Sequence, residues 1–182
     1  MRKLGTVDLE IIHLGVRKGG AFDEKDIEAS RLNGMGVGRI LDALASLRDR
    51  DMITQGKDGS FSVTDAARGI LWDHATPLWT RMLRLLQTRS CTIQEMAEFL
   101  LEPQDVVMQE AESMRKKGQV MITPQRRDGR LLRVYEILDD GKSRVDRGDA
   151  IQEILVQMER GILDGAGREE MLRLLHSLRE SL

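Results

Sequence analysis

The sequence predicts a mainly helical α+β protein in which three helices and a β-hairpin occur twice, followed by a C-terminal helical hairpin. Three observations predict this class. Apolar residues recur at helical spacing along most of the 182 residues. β-prone stretches flank glycine-containing turns at residues 54–60 and 124–130. The same order of segments occurs twice within roughly 130 residues, which indicates a duplication of pattern rather than of sequence identity.

The first block, residues 1–75, begins with a dense apolar pattern that ends before Gly19 and Gly20. This pattern predicts a helix, although its alternation over residues 7–11 would also suit a strand. The elements expected after it are a helix over 23–32 capped by Asp23, a glycine-rich turn over 33–36, a helix carrying Ile40, Leu41, Leu44 and Leu47, a hairpin around 54–60, and a helix that is capped by Thr64 and runs toward Trp72.

The second block, residues 76–147, repeats this order. Thr76 and Pro77 predict a helix start with the proline at the first helical position. The elements expected after it are a helix with a capping box between Thr92 and Glu95, a helix that opens at Pro103 and ends at Gly118, and strands over 120–122 and 131–137 around a loop at 124–130. Trp72 and Trp79 are expected to pack in the joint between the blocks, where a small-molecule pocket is also possible.

The third segment, residues 148–182, carries two amphipathic stripes separated by a glycine-containing break at 165–167. The stripes comprise Ile151, Ile154, Leu155, Met158, Ile162 and Leu163, and then Met171, Leu172, Leu174, Leu175 and Leu178. This pattern predicts a helical hairpin with too much apolar surface to stand alone. We therefore expect it to pack on the rest of the chain or to form a homodimer.

Three helices followed by a two-stranded wing form the winged-helix variant of the helix-turn-helix. The second half of the chain, from residue 76, resembles the multiple-antibiotic-resistance regulator (MarR) family. The resemblance rests on the helix start at 92–97, the helix end at 114–120, the wing at 126–130, the turn at 138–142 with Gly141, and the last helix at 167–175. It implies a DNA-binding transcriptional regulator that dimerises through its C-terminal helices.

The resemblance implies that the third helix of each block meets double-stranded DNA and that the wing contacts the phosphate backbone. The residues expected to contact DNA are Arg126, Arg127, Arg130 and Arg133 in the second wing, Gln104, Gln109, Lys116 and Lys117 on or beside the preceding helix, and Arg39 and Ser46 in the first block. Phosphate contacts dominate the affinity of such modules, and Lys and Arg provide most of them.

Charge along the second block favours a second hypothesis as well. Residues 92–114 hold six carboxylates and no Lys or Arg, whereas residues 115–133 hold seven basic residues against Asp128. An acidic third helix would repel a duplex unless its carboxylates accept from cytosine amino groups. The alternative is therefore an adaptor subunit that uses tandem winged helices for protein–protein assembly, with a protein partner at the first block.

The overall composition of the chain argues against a membrane protein and against a secreted protein. No apolar run approaches the roughly 20 residues of a membrane span, the first residues lack the apolar stretch of a secretion signal, and a single cysteine, Cys91, fits a reducing compartment. We therefore expect a cytoplasmic protein. A thiol pKa lowered by Arg89 would make Cys91 a redox sensor, but an inert thiol is the simpler interpretation.

No arrangement of residues in the sequence predicts catalysis. The three histidines are isolated, with no second ligand at metal spacing. The glycines at 34–38 follow no strand, so they do not form a dinucleotide-binding turn. We therefore expect neither an enzyme nor a cofactor or metal site.

Overall fold

The structure, a computed structural model, describes residues 4–127, 129–165 and 167–181. It is mainly helical with small antiparallel sheets, which confirms the α+β class. Within these ranges no helix is both long enough and apolar enough to cross a membrane.

The first block contains helices, a 3₁₀ turn and a small sheet. In chain order these are α1 (Thr6–Arg17), β1 (Ala21–Phe22), α2 (Glu24–Glu28), the 3₁₀ turn (Arg31–Met35), α3 (Val37–Asp49), β2 (Ile53–Gln55), β3 (Phe61–Val63) and α4 (Asp65–Leu71). The first segment is a helix rather than a strand, and Asp8 accepts from the backbone N–H of Gly5 at its start (2.9 Å). The predicted caps at Asp23 and Thr64 are both present.

Two features of this block differ from the prediction. The helix expected over residues 23–32 ends at Glu28, because the hydroxyl of Ser30 accepts from the backbone of Leu32 (3.1 Å) and so starts a separate 3₁₀ turn. The sheet has a third strand, β1, which pairs with β3 in the order β1-β3-β2. A two-residue strand is too short to show alternation, so the sequence carries no signal for it.

The second block and the C-terminal segment follow. They comprise α5 (Leu78–Thr88), α6 (Ile93–Leu100), α7 (Gln104–Lys116), β4 (Val120–Arg127), β5 (Arg130–Ile137), α8 (Asp139–Leu163) and α9 (Arg168–Ser181). The capping box of α6 is present as predicted. Pro77 caps α5 with extended backbone instead of occupying its first turn. The strands β4 and β5 also extend through most of the loop expected at 124–130.

Helix α8 crosses the boundary predicted between residues 147 and 148. Its first half packs on α5, where the guanidinium of Arg144 lies 3.6 Å from the ring centre of Trp79 and Arg84 pairs with Asp149 at 2.6 Å. Val145 is buried there. The second half of α8 extends beyond this contact and packs against α9. Helix α8 therefore connects the second block to the C-terminal hairpin without a break.

Gly141 is required by the close contact between α8 and the start of β4. A Cβ atom at this position would overlap the backbone oxygen of Gln119 and would lie 2.9 Å from the side chain of Ile137. Any larger residue would push α8 away from the sheet. This packing gives a physical reason for the glycine in the 138–142 turn.

The two blocks share one hydrophobic core, which includes buried side chains from both. The indole Nε1 of Trp72 donates to the carbonyl oxygen of Phe99 at 2.8 Å, and the ring of His13 lies 4.3 Å from that of Phe99. Arg89 pairs with Glu10 at 2.7 Å across the same joint. Trp72 thus packs in the joint as predicted, whereas Trp79 packs under α8.

Candidate nucleic-acid interface

The strands β4 and β5 form an arm whose base is buried and whose tip is exposed. Val120, Val134 and Tyr135 are buried near the base, whereas Arg126 and Arg130 are exposed near the tip. The register is continuous along eight residue pairs. The arm therefore extends its last residues away from the core that holds its base.

The four arginines of the arm are divided equally between its two faces. Arg127 is paired with Arg130, while Arg126 is opposite Leu131 and Arg133 is opposite Pro124. Directly opposed residues point to the same side of a ribbon, and successive residues alternate. One face therefore carries Arg127 and Arg130, and the other carries Arg126 and Arg133.

Arg127 is bound to the body of the protein. Its guanidinium pairs with Glu95 at 3.0 Å and donates to the carbonyl oxygen of Ser90 at 3.1 Å and to the side-chain oxygen of Gln125 at 3.0 Å. Glu95 also accepts from the backbone N–H of Thr92 at 2.7 Å as part of the α6 capping box. The charge of Arg127 is thus largely used to hold the arm against the start of α6.

Arg126, Arg130 and Arg133 are exposed, and none of them forms an ion pair with a carboxylate among the residues described. Glu112 lies close enough to Arg133 for the two charges to interact. It pairs with Arg115 at 2.9 Å and accepts from the hydroxyl of Tyr135 at 3.1 Å.

These contacts hold the pKa of Glu112 below its ordinary value. The hydrogen bond from Arg115 is the largest cause, followed by the bond from Tyr135, and the charge of Arg133 adds to the effect. Glu112 therefore stays ionised and partly balances the positive charge beside it. Its partners lie on the arm and on its own helix.

The exposed surface of α7 carries polar, acidic and apolar side chains. Gln104, Gln109 and Asp105 are exposed on it, together with Val106 and Met108. The predicted glutamines are therefore accessible, but the residues beside them are acidic or apolar.

Lys116 and Lys117 are exposed where α7 ends, beside the base of the arm. From there to the tip the arm spans eight residues of β4, or roughly 25 Å at ~3.3 Å per residue. The basic run at 115–133 is thus divided into a group at the base and a group at the tip.

In the first block, Arg39 is exposed on α3 and Ser46 is half-buried. The outer surface of α3 is otherwise apolar along one stripe, where Val37 is 73% exposed, Leu41 is 60% exposed, and Ala45 follows four residues later. The hairpin of this block has strands of only three residues. The turn between them carries a single basic residue, Lys57, against the four arginines of the second arm.

Cys91 is buried and forms an isolated bridge with Tyr135 at the edge of the arm. Burial raises the pKa of its thiol to about 11, and the nearby charge of Arg89 only partly opposes this. The thiolate that redox sensing needs is therefore disfavoured, which favours the inert thiol over the redox sensor. No group of three potential metal ligands occurs in the described ranges.

A cleft of about 490 Å³ lies between the two blocks, and the sequence did not indicate its lining. Arg17, Arg31 and Arg89 contribute cations to it, and Glu10, Glu95 and Glu98 contribute carboxylates. Most of these charges come from helices that are distant in sequence, so no local motif could have identified the cleft.

The chain matches no known family model and none of the curated proteins.

Proposed function

We propose that this protein is a DNA-binding transcriptional regulator, built from tandem winged-helix units and similar in plan to MarR regulators. The observation that carries the proposal is the arm tip, where Arg126, Arg130 and Arg133 are exposed without a carboxylate partner among the described residues. Such cations are the groups that neutralise phosphates and provide the affinity of DNA-binding modules.

The distribution of charge over both faces of the arm supports insertion into a groove. Arg130 is on one face, and Arg126 and Arg133 are on the other. A ribbon in a DNA groove has a phosphate backbone on each side, so cations on both faces can bind both backbones. The exposed Asp105 makes α7 a weaker contact than the arm, so phosphate contact rather than base reading is expected to dominate.

Dimerisation through α8 and α9 would complete this function. Beyond Val145 no described residue is buried, and Ile162 and Leu163 near the end of α8 are 67% and 84% exposed. Two such hairpins would bury their apolar stripes in a four-helix bundle. A two-fold dimer would present two arms, as the half-sites of an operator require.

The test is a titration of the full chain with random-sequence duplex DNA at several salt concentrations. Replacing Arg126, Arg130 and Arg133 with alanine should weaken binding to all sequences and reduce the salt slope by about 0.9 per lost contact. The matched control removes three exposed arginines elsewhere, Arg48, Arg147 and Arg168. The proposal fails if both triple variants bind with the slope and affinity of the unmodified chain.

The second candidate is an adaptor subunit that mediates protein assembly, and the Val37–Leu41–Ala45 stripe of α3 favours it. Large apolar side chains that are this exposed often mark protein interfaces. The same titration separates the two functions. An adaptor would show no salt-dependent binding to duplex DNA, and Leu41→Ser would disrupt its assembly without affecting any DNA binding.

A further inference from the structure

A groove lies at the turn between α6 and α7. Its volume is about 470 Å³, and it is lined by Gln94, Ala97, Glu98, Leu101, Glu102, Pro103 and Gln104. The apolar part of this lining comes from Ala97, Leu101 and Pro103. We refer to it as the turn groove.

Two properties of Leu101 are energetically unfavourable: its backbone conformation and the exposure of its side chain. Its backbone is left-handed (φ 58°, ψ 42°), a conformation that favours glycine and costs other residues roughly 1–2 kcal/mol. Its side chain is nevertheless 45% exposed. A glycine would end α6 without this strain and without exposing apolar surface. The leucine is therefore not explained by the folding of the chain alone.

The charge of the turn groove is negative. Its lining includes Glu98 and Glu102 but no Lys or Arg. Glu102 is already paired with the buried Arg81 at 2.5 Å. Glu98 is half-exposed, and its carboxylate accepts from the side-chain amide of Gln94 at 2.9 Å and has a long contact to Arg31 at 3.6 Å. An apolar ridge beside a carboxylate that has no closer ion pair among the described residues is thus available on this surface.

The cleft between the blocks limits the extent of this surface. Glu98 and Leu101 line both cavities and so form the ridge between them. On the far side of the ridge the lining includes three arginines, Arg17, Arg31 and Arg89, together with the carboxylates of Glu10, Glu95 and Glu98. The lining without a basic residue is therefore confined to the turn-groove side of Leu101.

We propose that the turn groove docks a basic amphipathic segment of a partner protein. An apolar side chain of that segment packs against Leu101 and Pro103, and a lysine or arginine pairs with Glu98. Charge complementarity selects this occupant, because a phosphate backbone would meet Glu98 and the neighbouring exposed Asp105. Leucine-type anchors in a small groove are a common mode of peptide recognition.

This inference goes beyond the proposed DNA binding, which uses the arm. The arm tip carries Arg126 and Arg130, whereas the turn groove carries carboxylates, so the two surfaces attract opposite charges. Docking of a basic segment is therefore expected to be independent of duplex DNA. The failure of one proposal would leave the other standing.

The test uses the full chain and a fluorescently labelled peptide of leucines and lysines that forms one amphipathic helix. Leu101→Gly should weaken its binding at least about tenfold, which corresponds to about 1.4 kcal/mol. Glu98→Gln should weaken it about two- to fivefold, as expected for one exposed charge pair. Met121→Ser and Glu153→Gln, which alter exposed residues elsewhere, should leave binding unchanged.

Folding and specificity are checked in the same experiment. Leu101→Gly relieves backbone strain, so its melting temperature should equal or exceed that of the unmodified chain. The matched peptide with glutamate in place of lysine should not bind. The proposal is overturned if the lysine peptide does not bind, if Leu101→Gly and Glu98→Gln both bind it normally, or if duplex DNA competes with it.

Discussion

Arg127 and Glu95 form an ion pair of 3.0 Å between the tip of the β4–β5 arm and the first turn of α6. The same guanidinium donates to the carbonyl oxygen of Ser90 at 3.1 Å. The pair connects residues that are 32 positions apart in the chain. Arg127 therefore has a different role from the other arginines of the arm. Its ion pair orients the arm, whereas the other three arginines remain exposed.

Arg127→Ala should therefore lower the free energy of unfolding by about 1–3 kcal/mol, since it removes charged hydrogen bonds and takes this donor from the carbonyl oxygen of Ser90 and the Oε1 of Gln125. Arg126→Ala, on the other face of the arm, should change it by less than about 0.5 kcal/mol. Urea unfolding of both variants measures the difference. Equal stabilities would show that the network does not hold the arm.

Trp72→Phe tests the joint between the two blocks. It removes the indole N–H that binds the carbonyl oxygen of Phe99, one of the last carbonyls of α6. A buried carbonyl left without a donor costs about 1–3 kcal/mol, so the variant should unfold at lower denaturant concentration. Trp79→Phe is the control, because Trp79 lies half-buried outside the joint. The joint would be unimportant if Trp72→Phe were no less stable than the control.

His13 predicts a specific dependence of stability on pH. Burial is the main reason that its pKa is lowered from 6.5 to about 4; Glu10 opposes this shift, whereas Arg17 and Arg89 add to it. Below about pH 6.5 the unfolded chain binds a proton at this residue that the folded chain does not. Stability is therefore complete above pH 6.5 and decreases as the pH falls toward 4, by about 3 kcal/mol at most.

His13→Phe keeps an aromatic ring against Phe99 and removes the titrating group. Its free energy of unfolding should decrease less than that of the unmodified chain between pH 6.5 and pH 4. Chemical unfolding at several pH values across this window measures both curves. Parallel curves would mean that other groups cause the acid sensitivity.

Cys91 should react slowly with a thiol reagent such as DTNB in the folded protein. With a pKa of about 11, only about one molecule in a thousand carries the thiolate at pH 8, and the sulfur is buried. Complete reaction is expected only after denaturation, which serves as the control. Rapid and complete labelling of the native protein would contradict the burial of this thiol.

Leu172 and Leu175 on α9 test the proposed dimer, because both are about half-exposed. Replacing both with glutamate should weaken self-association at least about tenfold, since two charges would have to be buried in the helical bundle. Arg173→Glu, an exposed position between them, is the control for added negative charge. Sedimentation velocity measures the result, and an unchanged sedimentation coefficient in the double variant would contradict a dimer through this surface.

Local signals in the chain were sufficient to predict many of the elements. The capping box between Thr92 and Glu95 spans three residues, so both its donors and its acceptors are visible in the sequence. The apolar stripes likewise indicated which segments are helical, because helical periodicity depends only on near neighbours. The short strand β1 was missed because it exists only through its pairing with β3.

The candidate interface depended on longer-range contacts. The arginines of the arm form one cluster in the sequence, yet their division between two faces follows from the pairing register of β4 and β5. Arg127 could not be distinguished from Arg126 by its neighbours, because its partner Glu95 is reached only when the arm packs on α6. Similarly, nothing near Leu101 in the sequence indicates its left-handed backbone or its exposure.

Periodicity, caps and turns in this chain are set by interactions over a few residues, so composition and spacing are enough to predict them. The shared core, the buried His13 and Cys91, and the separation of a basic arm from an acidic groove arise only when distant segments pack together. Burial and pairing change the charge, the pKa and the accessibility of a side chain, and these quantities belong to the folded environment rather than to the residue type.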